Sequence, residues 1–578
     1  MSHPPEHPLI PDEDEPVRPD EAHAPSSVDA PEEFPHPAKE RPPRHTPHEA
    51  TPRGDADAGL FGRFLRTVEW LGNLLPHPVT LFALFALGVV VISGIAGWLD
   101  LAVADPRPAG ATGRAADGMI RAVSLMTGEG LRMIVSNLVT NFTGFVPLGT
   151  VLVALLGVGV AEHSGLLTAG IRLLVQKAPP RLMTMTVVFA GVLSNTASEM
   201  GYVVLIPLAA VIFHALGRHP LVGMAAAFAG VSGGYSANLL IGTVDPLLAG
   251  ITQEAAQLID PTYEVHAAVN YYFMAVSTFL IAFVGTWVTH RFVEPRLGTY
   301  DASQASEDLP EPTLDPLSPR EVRGLKLAGL AVLGVGAVFA LTIVPEWGVL
   351  RNPETGAVLQ SPFLRGIVAL IFVFFLVPGV VYGWATGSVR SDKDVVDGMA
   401  KSMSTLGLYI VLVFFAAQFV AFFGWTNLGA ILAVAGASGL ETVGLTGPLV
   451  FIPFILMCCF VNLMLGSASA QWAVTAPIFV PMLMLIGYSP EVIQAAYRIG
   501  DSTTNIITPM MSYFGLILAF MVKYDKKAGI GTMVAMMLPY TIFFLLGWIL
   551  LFYAWVFGLG MPVGPEAPTF YVPGAPTP

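Results

Sequence analysis

A base, an acid and an amide stand within eight residues of one another at Arg498, Asp501 and Asn505, in a stretch with strongly apolar surroundings. A second acid, Glu199, follows the small polar run S-N-T-A-S at 194–198. Ionisable groups in a hydrocarbon setting are costly, so they are expected to line a protein interior or a watery cavity. Asp501 and Glu199 are therefore read as carriers of a proton or a cation. Arg498 could bind a solute carboxylate bidentately, or pair with Asp501 three residues on along one helical face. Asn195, Asn238 and Asn505 can donate and accept hydrogen bonds, so they could cap broken helices or touch a solute. Ser469 and Trp472 lie in G-S-A-S-A-Q-W at 466–472. The indole could stack on an aromatic ring, with an interfacial anchor as the alternative. Asp245, in G-T-V-D-P, reads as structural.

Such groups need elements that break helices inside an apolar setting. Gly233, Gly234, Pro490, Gly500 and Pro509 are the expected breakers, because interrupted helices expose backbone groups that can coordinate an ion or a small solute. The breakers recur. At an offset of 270 residues, Gly217 matches Gly487, Pro220 matches Pro490, Gly230 matches Gly500 and Ser232 matches Ser502. Each half reads as a hairpin with a small-residue tip, followed by a broken helix.

Composition sets the frame. Of 578 residues, 54% are hydrophobic and 12% charged, and the mean hydropathy is +0.64. That excludes an ordinary soluble globule and indicates a polytopic membrane protein. Residues 1–57 hold 14 acidic and 5 basic side chains, so nine of the thirteen net negative charges lie there. This Pro-, His- and acid-rich stretch is expected to be a disordered tail. Six histidines fall in it at irregular spacing, with no metal role expected. The first apolar segment begins near residue 78, so no signal peptide is expected. Cys458 and Cys459 are adjacent and receive no redox or metal role.

Nine crossings are expected, near 78–98, 144–163, 221–248, 266–290, 324–345, 362–384, 404–424, 491–523 and 530–556. Two further stretches, 182–214 and 447–487, read as re-entrant hairpins. Lys and Arg near 63–66, 172–218, 291–326, 390–401 and 523–527 place those loops, and the N-terminus, in the cytoplasm. The hairpins then enter from opposite faces, which makes the repeat an inverted one. The expected fold is all-α and polytopic, of the ion-transporter-superfamily kind. Its parts are an acidic tail (1–57), N-terminal helices (58–163), a first hairpin and broken helix (164–252), scaffold and dimerisation helices (253–424), a second hairpin and broken helix (425–523), and a last helix with a short tail (524–578). Freed amides at half-helix N-termini favour an anion and freed carbonyls favour a cation, an arrangement suited to a small carboxylated solute moved with an ion.

The stretches S-N-T-A-S-E-M-G-Y at 194–202, G-V-S-G-G-Y-S-A-N at 230–238, G-S-A-S-A-Q-W-A-V-T-A-P at 466–477 and Y-R-I-G-D-S-T-T-N-I-I-T-P at 497–509 resemble the AbgT family of p-aminobenzoyl-glutamate transporters. The resemblance covers roughly residues 60–556. It implies a homodimer in the cytoplasmic membrane, ion-gradient-coupled transport by an elevator motion, and uptake of p-aminobenzoyl-glutamate or export of sulfonamide antimetabolites. It carries functional roles onto Ser469, Trp472, Pro490, Arg498, Asp501 and Pro509. Glu199 stands where the family often has Asp, one methylene longer. No cofactor is expected beyond a coupling sodium ion or proton, and no nucleic-acid partner. The alternatives are a sodium-coupled dicarboxylate or other organic-anion carrier of the same architecture, and an intramembrane enzyme. For the latter, G-V-S-G-G at 230–234 has the letters of a nucleophile elbow but lies in a helical run.

Overall fold

The computed structural model describes residues 76–107, 114–197, 201–301, 303, 305, 316–358 and 361–572. The acidic stretch 1–57 and Glu199 lie outside them. The main helices are α1 (Pro78–Trp98), α2 (Gly128–Thr143), α3 (Val146–His163), α4 (Leu166–Gln176), α5 (Met183–Ser194), α6 (Ile206–Ala215), α7 (Pro220–Phe228), α8 (Val244–Ala256), α9 (Tyr271–Val288), α10 (Pro319–Ile343), α11 (Ile367–Thr386), α12 (Asp392–Ser404), α13 (Gly407–Trp425), α14 (Leu428–Thr442), α15 (Phe451–Leu465), α16 (Ala468–Leu485), α17 (Pro490–Thr504), α18 (Phe514–Tyr524) and α19 (Ile530–Phe552). A two-stranded antiparallel ribbon, β1 (Ala102–Ala104) with β2 (Met119–Arg121), joins α1 to α2.

Nine helical stretches among the described residues are long and apolar enough to cross a membrane. Seven of them overlap expected crossings; the other two are the arms of the stretch expected to be the second hairpin, and the expected crossings 221–248 and 491–523 are not among the nine. The two crossings expected to be broken are each divided into shorter helices, while both arms of the second hairpin, Pro448–Leu465 and Ala468–Leu485, reach 18 residues. What makes those arms a hairpin is the two-residue tip Gly466–Ser467, with Gly466 in the left-handed region at φ +54°. α2, α4 and α14 were not anticipated as separate helices. All three have fewer than 18 residues, below the length that a span signal requires.

The broken helices come from local chemistry. Pro220 and Pro490 occupy first-turn positions of α7 and α17, where the absent amide hydrogen costs nothing. Ser489 caps α17 by accepting from the Val492 amide at 3.3 Å. Pro490 therefore starts a helix instead of breaking one. α7 loosens into a π-turn over Ala229–Gly233 and stops at Gly234, and helix resumes at Val244. The second break is displaced from the expected one. α17 runs helically through Gly500 and Asp501 to Thr504, and the open segment is 505–513, which contains Pro509.

Gly500 serves packing instead. A Cβ there would meet the Cβ of Cys458 at 2.5 Å and the carbonyl oxygen of Ile455 at 2.7 Å. A Cβ on its repeat mate Gly230 would meet the Val188 carbonyl oxygen more closely still. Val188 and Cys458 are themselves related by the 270-residue offset, so the repeat extends to helix-on-helix contacts.

Candidate functional site

Each hairpin tip docks on its own broken helix. At the first tip, the Thr196 hydroxyl and the Asn238 side chain exchange hydrogen bonds at 2.9 and 3.1 Å. At the second, Gly466 lies against the backbone of Met510 and Met511, leaving no room for a side chain. The two halves then interlock. The Ser236 amide donates to the Ser502 hydroxyl at 3.1 Å, the Ser232 hydroxyl meets the Met511 sulfur at 3.2 Å, and Tyr202 stacks on Tyr513 with ring centroids 4.6 Å apart and planes within 4°.

Between these parts lies a cavity of about 280 Å³. Its walls include Gly466, Ser467 and Ser469 of the second tip, Tyr202 after the first tip, Tyr235 and Thr243 of the first break, Asn505 and Tyr513 of the second, and Tyr409 of α13. α16 points its N-terminus at this space, and its N-cap residue Ser467 makes no side-chain cap hydrogen bond. The freed amides and positive dipole end favour an anionic group. The tyrosines supply ring faces and hydroxyls.

Ser469 and Asn505 both line the cavity. Asn505 is also tied down, since its side-chain oxygen accepts from Asn462 at 2.8 Å. Asn238 is engaged with Thr196, and both polar side-chain atoms of Asn195 are buried without a partner among the described residues. Gly233 and Gly234 end the first half-helix as anticipated.

Two expectations change. Arg498 does not pair with Asp501. Its Nη2 donates to Asp245 at 2.7 Å and its Nε to Asn270 at 3.0 Å, with the Arg498 and Asp245 side chains only 3% and 5% exposed. Asp245 is thus the buried counter-ion that ties the first broken helix to the second. Trp472 is not presented to the cavity. It is fully buried, stacks on Tyr497 with centroids 4.2 Å apart, and donates to the Thr252 hydroxyl at 2.8 Å. Thr252 in turn donates to Gln494 at 2.5 Å, and Gln494 donates to Asn270 at 2.8 Å.

Asp501 is left apart from this network. It is fully buried, and neither carboxylate oxygen has a hydrogen-bond partner among the described residues. The hydroxyl of Tyr497, which lies beside Asp501, donates to the Ala468 carbonyl at 2.7 Å. Side-chain oxygens of Asn462 and Gln471 are likewise buried and unpartnered. Unsatisfied oxygens on α15, α16 and α17 are the donor type that a hard cation takes, and an orphaned carboxylate suits a proton equally. The tyrosines were missed from sequence. Asp245 reads as structural from sequence, and the structure gives it that part, with Arg498 as the partner that the sequence did not name. The tyrosines carry no signal before the breaks are placed.

Two interlocked hairpin and broken-helix halves, set in a frame of apolar helices around a polar cavity, define a multi-pass membrane transporter. Residues 63–571 match the family described as "AbgT putative transporter family". The chain is 37% identical over 505 residues to the p-aminobenzoyl-glutamate transport protein of Escherichia coli K12, covering 87% of this chain and 96% of that protein. Among solved structures, MtrF of Neisseria gonorrhoeae, reported as illuminating a class of antimetabolite efflux pumps, superposes with a TM-score of 0.83 at 63% identity, covering 88% of this chain and all of MtrF. The YdaH transporter of Alcanivorax borkumensis, reported to have an unusual topology, gives 0.78 at 46% identity, covering 85% of this chain and all of YdaH. The chain belongs to the AbgT family. Membership makes it a transporter and removes the intramembrane-enzyme alternative.

Proposed function

We propose that this protein moves p-aminobenzoyl-glutamate and sulfonamide-type antimetabolites across the cytoplasmic membrane, driven by a sodium or proton gradient. The observation that carries the reading is the cavity itself. An open helix N-terminus with Ser469 offers a seat for a carboxylate, and tyrosines offer ring faces for an aminobenzoyl group. The names of the Escherichia coli and Neisseria relatives support the same two solute classes. Asp501, with Glu199, is the coupling acid. Arg498 and Trp472 act by holding the two broken helices together around the solute.

The positive loops put the N-terminus and α12 in the cytoplasm. The hairpins and broken helices (164–252 and 425–523) form the moving part, and 253–424 belongs to the scaffold of a homodimer. Transport is an elevator motion of the first against the second.

The test is p-aminobenzoyl-glutamate flux in proteoliposomes, with sodium and pH gradients imposed separately. Flux driven by one gradient, lost in Asp501→Asn with the protein still folded, is the expected result. No flux under either gradient, with succinate or citrate carried instead, overturns the solute reading in favour of a dicarboxylate carrier.

A further inference from the structure

A second, larger cavity of about 610 Å³ adjoins the central one. The two share Leu155, Leu406, Tyr409, Ser467 and Ser469, so they meet at the tip of the second hairpin. The outer cavity is walled by the C-terminal end of α3 and by α12, and its charged lining residues are Glu162 and Lys401, with His163 beside them. Both helices are firmly placed. The Ser402 hydroxyl donates to the Leu155 carbonyl at 3.2 Å. Ser402 also packs so closely on Gly159 that no side chain fits there, and a Cβ on Gly398 would sit 3.1 Å from the His163 Cβ. Lys401 lies between these two contact residues of α12.

Glu162 and Lys401 feel each other's charge, yet they form no ion pair. Neither side chain enters a hydrogen bond or salt bridge among the described residues. Opposite charges on two walls of one cavity, with no ion pair between them, are complementary to a solute with a donor at one end and an anion at the other. A carboxylate accepts hydrogen bonds from an amine, and an ammonium group donates to a carboxylate.

We propose that Glu162 and Lys401 form a loading site in the outer cavity that selects solutes before they reach the central cavity, Glu162 by taking the aryl amine and Lys401 by taking a carboxylate. The assignment rests on the solute reading above. p-Aminobenzoyl-glutamate carries both groups, whereas a simple sulfonamide shares the aryl amine and lacks the carboxylates. The two residues therefore read different parts of the solute, and single substitutions separate them.

The experiment measures initial flux in proteoliposomes for p-aminobenzoyl-glutamate, benzoyl-glutamate (which lacks the amine) and sulfanilamide (which lacks the carboxylates). Lys401→Met is expected to raise KM about tenfold for the two glutamates and leave sulfanilamide unchanged, the worth of one charge-assisted hydrogen bond. Glu162→Gln is expected to raise KM for p-aminobenzoyl-glutamate and sulfanilamide and spare benzoyl-glutamate. The maximal rate stays near wild type in both, because the site acts before the transport step. Equal effects on all three solutes, or unchanged KM in both variants while the wild type carries p-aminobenzoyl-glutamate, overturn this assignment alone. Absence of wild-type p-aminobenzoyl-glutamate flux overturns the parent solute reading and this assignment with it.

Discussion

The Asp245–Arg498 pair joins the two halves at their breaks, and its removal should cost more than a surface pair would. One Asp245 oxygen accepts from Arg498 at 2.7 Å and the other from the Gly242 amide at 2.7 Å. The guanidinium has a second anchor on Asn270. With both side chains at most 5% exposed, neutralising one leaves the other charge buried without its partner, a loss of about 3–5 kcal/mol. Asp245→Asn and Arg498→Met should each show it. The double variant buries no net charge, so it should recover about 2 kcal/mol or more relative to the sum of the singles. The chain offers its own probe, because its two cysteines, Cys458 and Cys459, are both buried. Denaturant titration in detergent, read by a thiol-reactive fluorophore, reports their release. A loss under about 1 kcal/mol in Asp245→Asn, or a cycle additive to within about 0.5 kcal/mol, would refute the view that this pair locks the halves together.

Glycine packing gives a second outcome. Gly500→Ala drives a methyl group into Cys458 and the Ile455 backbone, and should lower stability by about 1–3 kcal/mol in the same titration. Gly170→Ala in α4 meets nothing within 4 Å and should raise it by about 0.5–1 kcal/mol. Equal effects at the two sites would contradict the packing argument. The third outcome concerns pH. Burial of Asp105 would raise its pKa, but hydrogen bonds and the charge of Arg107 override this and hold it below the usual 3.8. A lowered folded value means that the stabilisation is present above the unfolded pKa and lost as pH falls through the folded one. The stability gap between wild type and Asp105→Asn should be flat from about pH 8 to 5 and close below about pH 4. A gap that already closes near neutrality would be inconsistent with the ion pair.

Hydropathy and charge alone determined that this chain is a multi-pass helical membrane protein, because a span needs a long apolar run that composition cannot hide. The 270-residue repeat was legible as well. Gly230 and Gly500 recur because both must admit a hairpin arm, and a glycine forced by close approach leaves its mark in the letters. Ser469, singled out by the family motif, and Asn505, singled out as an amide able to donate and accept, both line the cavity. The second break itself was misplaced by several residues, since Gly500 is helical and was read as a breaker. What only the tertiary structure decided was partnership. Arg498 had a local candidate in Asp501, but it found Asp245, 253 positions away. Trp472 could have faced a solute, but its indole is spent on Tyr497 and Thr252. Local spacing proposes only neighbours on one helix. The interlocking of two repeats chooses among all buried donors and acceptors at once; among the described residues it left neither Asp501 oxygen hydrogen-bonded, and it opened Glu162 and Lys401 onto a shared cavity.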